Sequence, residues 1–369
     1  MNKIAPFLFI ILIFLGCDTN GNEDDQSTSP SSFYKGMDLS FMEEQLDKGA
    51  VYKDEQGNNI SNLPSYLSDQ GVNLMRIRLW INNSDGKYNL NYVKRQALIA
   101  QQNNMDFLLC LHFSDTWADP GSQDTPAVWS SLNINELAAE LENYCTIVLR
   151  ELRDQNTLPQ LVQIGNETNN GMLWPVGQVY TNGTENWDNY IQLTKAAING
   201  VTSISPDSKI MIHHAGISTA SYFYNQLESN NVVYDMVGLS YYPWWHGNDL
   251  NTMESDLRSF TMNQDKPVMI VETSYPFTLD WNDNTNNNIG LTNQLAPSYP
   301  ATQNGQFQFL QRINQVVKNL PDDKGIGFCY WAPDWIAIDG ASEGSSWENM
   351  ALFDFIGAAT SGLEVFQED

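Results

Sequence analysis

The amino-acid sequence predicts an α/β fold, a single (β/α)8 TIM barrel. Three observations carry that expectation. Eight short apolar runs, each reading as a buried parallel strand, alternate with helix-patterned segments from Phe33 onward. No Gly-rich phosphate turn follows the first run, which weakens the alternative of an open doubly wound sheet. Polar and aromatic residues recur where the apolar runs stop, as they do where barrel strands end at one active face.

The first strand is expected over Tyr34–Leu39. Its crossover, Asp47–Gln70, shows little helix pattern before Leu63. The next apolar runs are Leu74–Leu79, Phe107–Leu111, Leu161–Ile164 and Ile210–His213. Met236–Leu239, Val268–Val271 and Ile326–Trp331 complete the eight. Between them the helix patterns span Asn89–Asn103, Asn133–Arg153, Trp187–Ile204, Thr219–Ser229, Leu250–Met262 and Gln306–Leu320. In the second of these, Leu137, Leu141, Tyr144, Val148 and Leu152 form one apolar face. The Asn-rich segment Asp280–Pro300 lacks any period and reads as a long loop, a feature usually tied to function on a barrel.

The N-terminus reads as targeting rather than fold. Lys3 precedes an apolar run from Ile4 to Gly16 that is too short to span a bilayer and matches a signal segment. Phe14-Leu15-Gly16-Cys17 resembles a bacterial lipoprotein box, which implies cleavage after residue 16 and lipidation of Cys17. Residues 17–32 are polar and acidic and read as a tether, and the catalytic barrel is expected over 33–369. The cluster Asn22-Glu23-Asp24-Asp25 resembles export signals of bacterial surface lipoproteins, so the expected location is the outer membrane, at the cell surface. Contact with the membrane is expected only through that lipid. A net charge of −26, from 44 acidic and 18 basic residues, argues against nucleic acid or anionic lipid as partners. Cys110, Cys145 and Cys329 are odd in number and widely spaced, so they read as core thiols. A monomer is expected.

Two runs carry the chemistry. Gln163-Ile164-Gly165-Asn166-Glu167 and Met269-Ile270-Val271-Glu272-Thr273 each read as a buried strand ending in glutamate, 272 − 167 = 105 residues apart. That separation suits strands three βα units apart in one barrel, with both carboxyls at the active face. Such a pair is what cleavage of a glycosidic bond requires. Read singly, Asn166-Glu167-Thr168 could be a helix cap and Glu272 a satisfied structural carboxylate. Arg76 and Arg78 alternate onto one side of their strand and need carboxylate partners, for which Glu272 is the natural candidate. His112, Tyr241 and Tyr242, and Trp331 end other strands and suggest an aromatic, polar-lined cleft. His213-His214 does not read as a metal pair, because neighbours on a strand face opposite ways.

Several strings together resemble glycoside hydrolase family 53, the endo-β-1,4-galactanases of the large clan of (β/α)8 retaining hydrolases. They are Gly36–Ser40, Arg76–Trp80, His112–Pro120 (HFSDTWADP), Gln163–Pro175 (QIGNETNNGMLWP), Gly238–Pro243, Val271–Pro276 and Ser345–Asn349. The resemblance implies Glu167 as acid/base and Glu272 as nucleophile. The physical reading agrees: a retaining pair lies roughly 5 Å apart. Glu272 near Arg78 would stay ionised while Glu167 keeps its proton. Asn166, His112, Tyr241 and Trp331 are then expected to hold the sugar, with Asp115, Trp117 and Trp347 along the neighbouring groove. Bacterial members staple late loops with calcium, which here points to Asp280, Asn282, Asn284 and Ser346 as oxygen ligands. The implied substrate is β-1,4-galactan. The alternatives are another β-linked polysaccharide, such as mannan or glucan, and a non-catalytic glycan-binding barrel.

Overall fold

Tyr34–Asp38 (β1) opens a ring of eight parallel strands in this computed structural model, which describes Met1 and residues 33–83, 86–341 and 344–368. The others are Leu74–Leu79 (β2), Asp106–Leu111 (β3), Leu161–Ile164 (β4), Lys209–Ala215 (β5), Met236–Ser240 (β6), Val268–Thr273 (β7) and Gly325–Trp331 (β8). Each pairs with its neighbours in chain order, and β8 closes onto β1 with Asp38 opposite Trp331. The fold is a (β/α)8 barrel. The expected leader beyond Met1, the tether and Cys17 lie outside the described residues.

The helices follow from their caps and apolar faces. Asn89 caps Leu90–Gln102 by accepting from the amide of Tyr92. Asn133 and Glu136 close a capping box on Ile134–Asp154. Its residues Leu137, Leu141, Val148 and Leu152 are buried as one face, and Tyr144 packs edge-on against Trp129. Gln303–Lys318 begins three residues ahead of the expected Gln306, because Thr302 caps it through the amide of Gly305. The short helix Met42–Asp47 had no readable pattern; it lies in the first crossover ahead of Leu63–Asp69. Among the described residues, no helix is long and apolar enough to cross a membrane.

A large apolar cluster fills the space between sheet and helices. A smaller one, drawn from all eight strands and including Leu74, Leu108, Met211, Met269 and Val271, fills the barrel's interior. The three cysteines are free and buried, and Cys110 belongs to the interior set. One irregularity matters for function. Along β6 and β7, Leu239 pairs with Ile270 but Ser240 pairs with Glu272, so the register skips Val271. Simple alternation from Met269 and Val271 would put Glu272 on the helix side. The bulge turns it inward instead.

Candidate active site

The C-terminal ends of the strands deliver their side chains to one cleft. Asp38 comes from β1, Arg76 and Arg78 from β2, and His112 from just beyond β3. Asn166 and Glu167 follow β4, Tyr242 follows β6, Glu272 ends β7 and Trp331 ends β8. After β4 the backbone turns left-handed twice, at Gly165 (φ 73°) and Glu167 (φ 47°). Only glycine fits the first turn: a Cβ there would stand 2.4 Å from the Thr168 methyl. The second is a costly conformation for glutamate, and such strain gathers where a side chain must be aimed. Phe113 and Ala332, just past β3 and β8, are also left-handed, with φ of 55° and 54°.

Arg76 lies at the centre and is 1% exposed. Its Nη2 stands 2.7 Å from Oε1 of Glu272, and its Nη1 2.6 Å from Oδ2 of Asp38. Nε donates to Oε1 of Gln163 and Nη2 to Oδ1 of Asn166. Glu272 also accepts from the Tyr242 hydroxyl at 3.1 Å. Burial pushes its carboxyl up, while Arg76 and the Tyr242 donor oppose that. With a guanidinium and a phenol on it, Glu272 is the carboxyl that carries charge.

Glu167 has less help. Its Oε1 accepts from Ser240 Oγ at 2.5 Å. Burial first, and the charge of Glu272 second, push its carboxyl from 4.5 up to about 8, with Ser240 pulling the other way. The two glutamates thus differ as an acid–base pair must: one is charged, the other holds its proton near neutrality.

The arginine beside Glu272 is therefore Arg76, not the expected Arg78. Arg78 also lines the cleft, but its guanidinium rests against the rings of Tyr88 (3.9 Å), Phe41 (4.2 Å) and Trp117 (4.3 Å). None of its three nitrogens has a hydrogen-bond partner in the structure.

His112, Trp117, Asn166, Trp331 and Trp347 all line the cleft. Trp331 and Trp347 meet edge to face at 4.6 Å. Asn166 is tied into the cleft wall: its Oδ1 accepts from Arg76 and its amide donates to the carbonyl of Ala118. Two expected residues are displaced by neighbours. Tyr241 donates to the carbonyl of Gly247 and does not line the cleft; Tyr242 does. Asp115 accepts from the amides of Asn82 and Ala127, bracing the loop, and Asp119 takes its place on the wall. Sequence reasoning also passed over Asp38, Gln163, His213, Ser240 and Trp245. Period-2 spacing from Tyr242 back to Ser240 was the available signal for one of them. His213 and His214 part ways as adjacent strand residues should, His213 inward to Ser240 and His214 outward to Gly216 and Thr219.

Three of the expected calcium ligands lie on the loop that follows β7. Asp280, Asn282 and Asn284 are exposed, and among the described residues no three of His, Cys, Asp and Glu gather for a metal. The loop folds instead over Glu348. That carboxylate accepts from the amide of Asn282 through Oε1, while its Oε2 is buried without a partner. Asp283 lies close enough to push the Glu348 carboxyl further up, beyond the effect of burial, and Oδ1 of Asn287 is likewise buried and unpaired. Ser346 contributes its carbonyl to the amide of Asn288. Two carboxylates and unpaired oxygens are donors that fit a hard cation.

A buried, unequal pair of carboxyls at the mouth of a (β/α)8 barrel, walled by tryptophans, is the machinery of a glycoside hydrolase. The model of Glycosyl hydrolase family 53 matches residues 34–366, and the chain belongs to that family. It is 36% identical over 332 residues to an arabinogalactan endo-β-1,4-galactanase of Cellvibrio japonicus, covering 87% of this chain and 86% of the relative. It is 34% identical over 338 residues to arabinogalactan endo-β-1,4-galactanase A of Emericella nidulans, covering 89% and 92%. Among solved structures, the GH53 catalytic domain of Ignisphaera aggregans superposes with a TM-score of 0.85 at 34% identity, covering 92% of this chain and 97% of that one. A fungal β-1,4-galactanase gives 0.80 at 33% identity, covering 91% and 99%.

Proposed function

We propose that this glycoside hydrolase cleaves internal β-1,4-galactosidic bonds of galactan by double displacement. The unequal partnering of Glu167 and Glu272 carries this reading, and the galactanases among its relatives support the choice of sugar. Glu272 attacks the anomeric carbon as Glu167 gives its proton to the leaving oxygen, and the C–O bonding pair departs with that oxygen. Glu167, now a carboxylate, takes a proton from water. The resulting hydroxide character attacks the same carbon, and Glu272 leaves as carboxylate. Trp331 and Trp347 offer ring faces to the sugar, and Arg76 holds Glu272 ionised before its attack and again as it leaves.

The test is digestion of long-chain galactan, mannan and β-glucan, with products sized and the anomer followed by NMR. Rapid shortening of galactan with the β-anomer formed first is expected. Faster cleavage of mannan or glucan would overturn the substrate, and an α-anomer first would overturn the mechanism. Binding to galactan without release of reducing ends would instead revive the non-catalytic reading.

Two further readings rest on the chain itself. Cys17 is a lipidated residue that tethers the enzyme to the outer membrane and presents it at the cell surface. The sequence Phe14-Leu15-Gly16-Cys17 and the acidic tether support it. Labelled palmitate should enter the wild-type chain and not Cys17→Ala, and external protease should shave the enzyme from intact cells. Calcium sits against Asp283 and Glu348 and ties the 280–290 loop to the end of the barrel. The unpaired Oε2 of Glu348 beside a second carboxylate supports it. A melting temperature that ignores both chelator and added calcium would end that reading.

A further inference from the structure

Arg76 gives direction to the hydrogen bonds inside the barrel. A guanidinium only donates, so every group facing it must turn an acceptor toward it. Its Nε stands 3.1 Å from Oε1 of Gln163, which fixes that amide. The Gln163 Nε2 then points the other way, facing the carbonyl of Gly165 at 2.9 Å and standing 3.0 Å from both Oδ1 of Asn166 and Nδ1 of His213. The backbone N–H of Glu167 donates to the same nitrogen at 3.2 Å. One acceptor lies near it, Oδ1 of Asn166 at 3.1 Å, but both lone pairs of that oxygen already face donors, Arg76 at 2.8 Å and Gln163 Nε2 at 3.0 Å. The Glu167 N–H, whose direction the backbone fixes, points at Nδ1 and leaves it unprotonated. Burial keeps the imidazole neutral, so its proton is on Nε2. Nε2 lies 2.9 Å from Oγ of Ser240, and Ser240 Oγ lies 2.5 Å from Oε1 of Glu167. Ser240 accepts from His213 and donates its own hydrogen bond to Glu167.

We propose that Ser240, given its direction by His213 and ultimately by Arg76, is a positioning residue that holds Oε1 of Glu167 as an acceptor, so that the acid proton resides on Oε2. This rests on Glu167 being the acid/base. The carbonyl oxygen of a carboxylic acid is its better acceptor, so a donor fixed on Oε1 selects the form protonated on Oε2. When Oε2 gives its proton to the glycosidic oxygen, the Ser240 bond becomes charge-assisted and strengthens. An interaction that is stronger after proton transfer lowers the barrier rather than merely tightening binding. The other charged or titratable groups around Glu167 are Glu272 on β7, Asp119 after β3, Arg76 on β2 and Tyr242 after β6. None of them supplies a second donor to Oε1.

The experiment compares wild type with Ser240→Ala, Ser240→Thr and His213→Phe on two substrates. One is galactotetraose, whose leaving group needs a proton; the other is a dinitrophenyl β-galactooligosaccharide, whose leaving group does not. Ser240→Ala should lower kcat on galactotetraose roughly ten- to hundredfold, change the dinitrophenyl substrate little at its first step, and move the alkaline limb of kcat/KM upward. Ser240→Thr should restore both, and His213→Phe should shift the limb in the same direction. An unmoved limb, or equal losses on both substrates, would overturn the proposal. If Ser240→Ala does not fold by thermal melting, Ser240→Cys, with a weaker donor of similar size, must show the same limb shift. Glu167→Ala separates the two levels. If it does not spare the dinitrophenyl substrate's first step, Glu167 is not the acid; if it does while Ser240 variants leave the limb fixed, only the relay fails.

Discussion

Arg76 and Arg78 lie two residues apart on the same side of β2, yet Arg76 pairs with two carboxylates while the Arg78 guanidinium packs against aromatic rings and, among the described residues, forms no ion pair. The same side-chain type, at the same depth, serves two purposes. One organises charge in the interior, and the other stiffens an aromatic wall.

The contrast predicts opposite outcomes for the same substitution. Arg76→Met leaves Asp38 and Glu272 buried and unpaired, which should cost about 3–5 kcal/mol in urea unfolding and abolish turnover. Arg78→Met keeps the apolar stem against the rings and forfeits the cation–π contacts, so a loss of about 1–2 kcal/mol is expected. Equal destabilisation by the two variants would contradict the assignment of Arg76 as the interior counter-ion.

Tyr242→Phe removes the phenol from Oε2 of Glu272 and little else. That donor lowers the Glu272 carboxyl, so its loss should raise the acid limb of the pH–rate profile. A fall in kcat of roughly tenfold or more fits the loss of a hydrogen bond to a charged group. Tyr241→Phe, which removes only a hydroxyl that donates to the Gly247 carbonyl, should leave that limb in place.

Glu167 should set the alkaline limb. Its proton is needed for departure of the leaving group, and its carboxyl is pushed up to about 8. Activity should therefore fall as pH rises through about 8. Glu167→Gln should lose more than roughly a hundredfold in kcat on galactan, the scale of general-acid assistance, at every pH.

Asp334 offers a stability counterpart away from the reacting atoms. It is buried, neither carboxyl oxygen has a partner, and burial pushes it from 3.8 to about 8. A raised carboxyl favours the folded state fully below pH 3.8 and loses that contribution as pH rises toward about 8, because the unfolded chain ionises first. Melting temperature should decline across that window in wild type. Asp334→Asn should flatten the decline, which melts at half-unit pH steps would reveal.

The barrel was readable because buried parallel strands are continuous apolar runs with few competing interpretations. All eight were placed within two residues at either end, β7 running on to Thr273 beyond the expected Val271. Glu167 and Glu272 were readable as carboxyls ending such runs. What escaped was what depends on direction rather than sequence distance. Arg76 and Arg78 share a strand face, and nothing in the chain says which one reaches β7. Tyr241 and Tyr242 are adjacent, so choosing between them required knowing how β6 ends. Ser240 and His213 looked like ordinary strand residues, because their role appears only when β4, β5 and β6 stand side by side.

The skipped residue at Val271 also separates two kinds of constraint within one strand. Before it, the spacing of Met269 and Val271 answers to the packing of the barrel's lower layer. After it, Glu272 answers to Ser240, Tyr242 and Arg76. The bulge acts as a phase boundary, so the lower layer can be repacked without re-aiming the carboxylate above it. Removing that one residue would bring the two layers into a single alternation and leave Glu272 opposite Ser240, so the loss would fall on the lower layer, which would be missing the side chain of Val271.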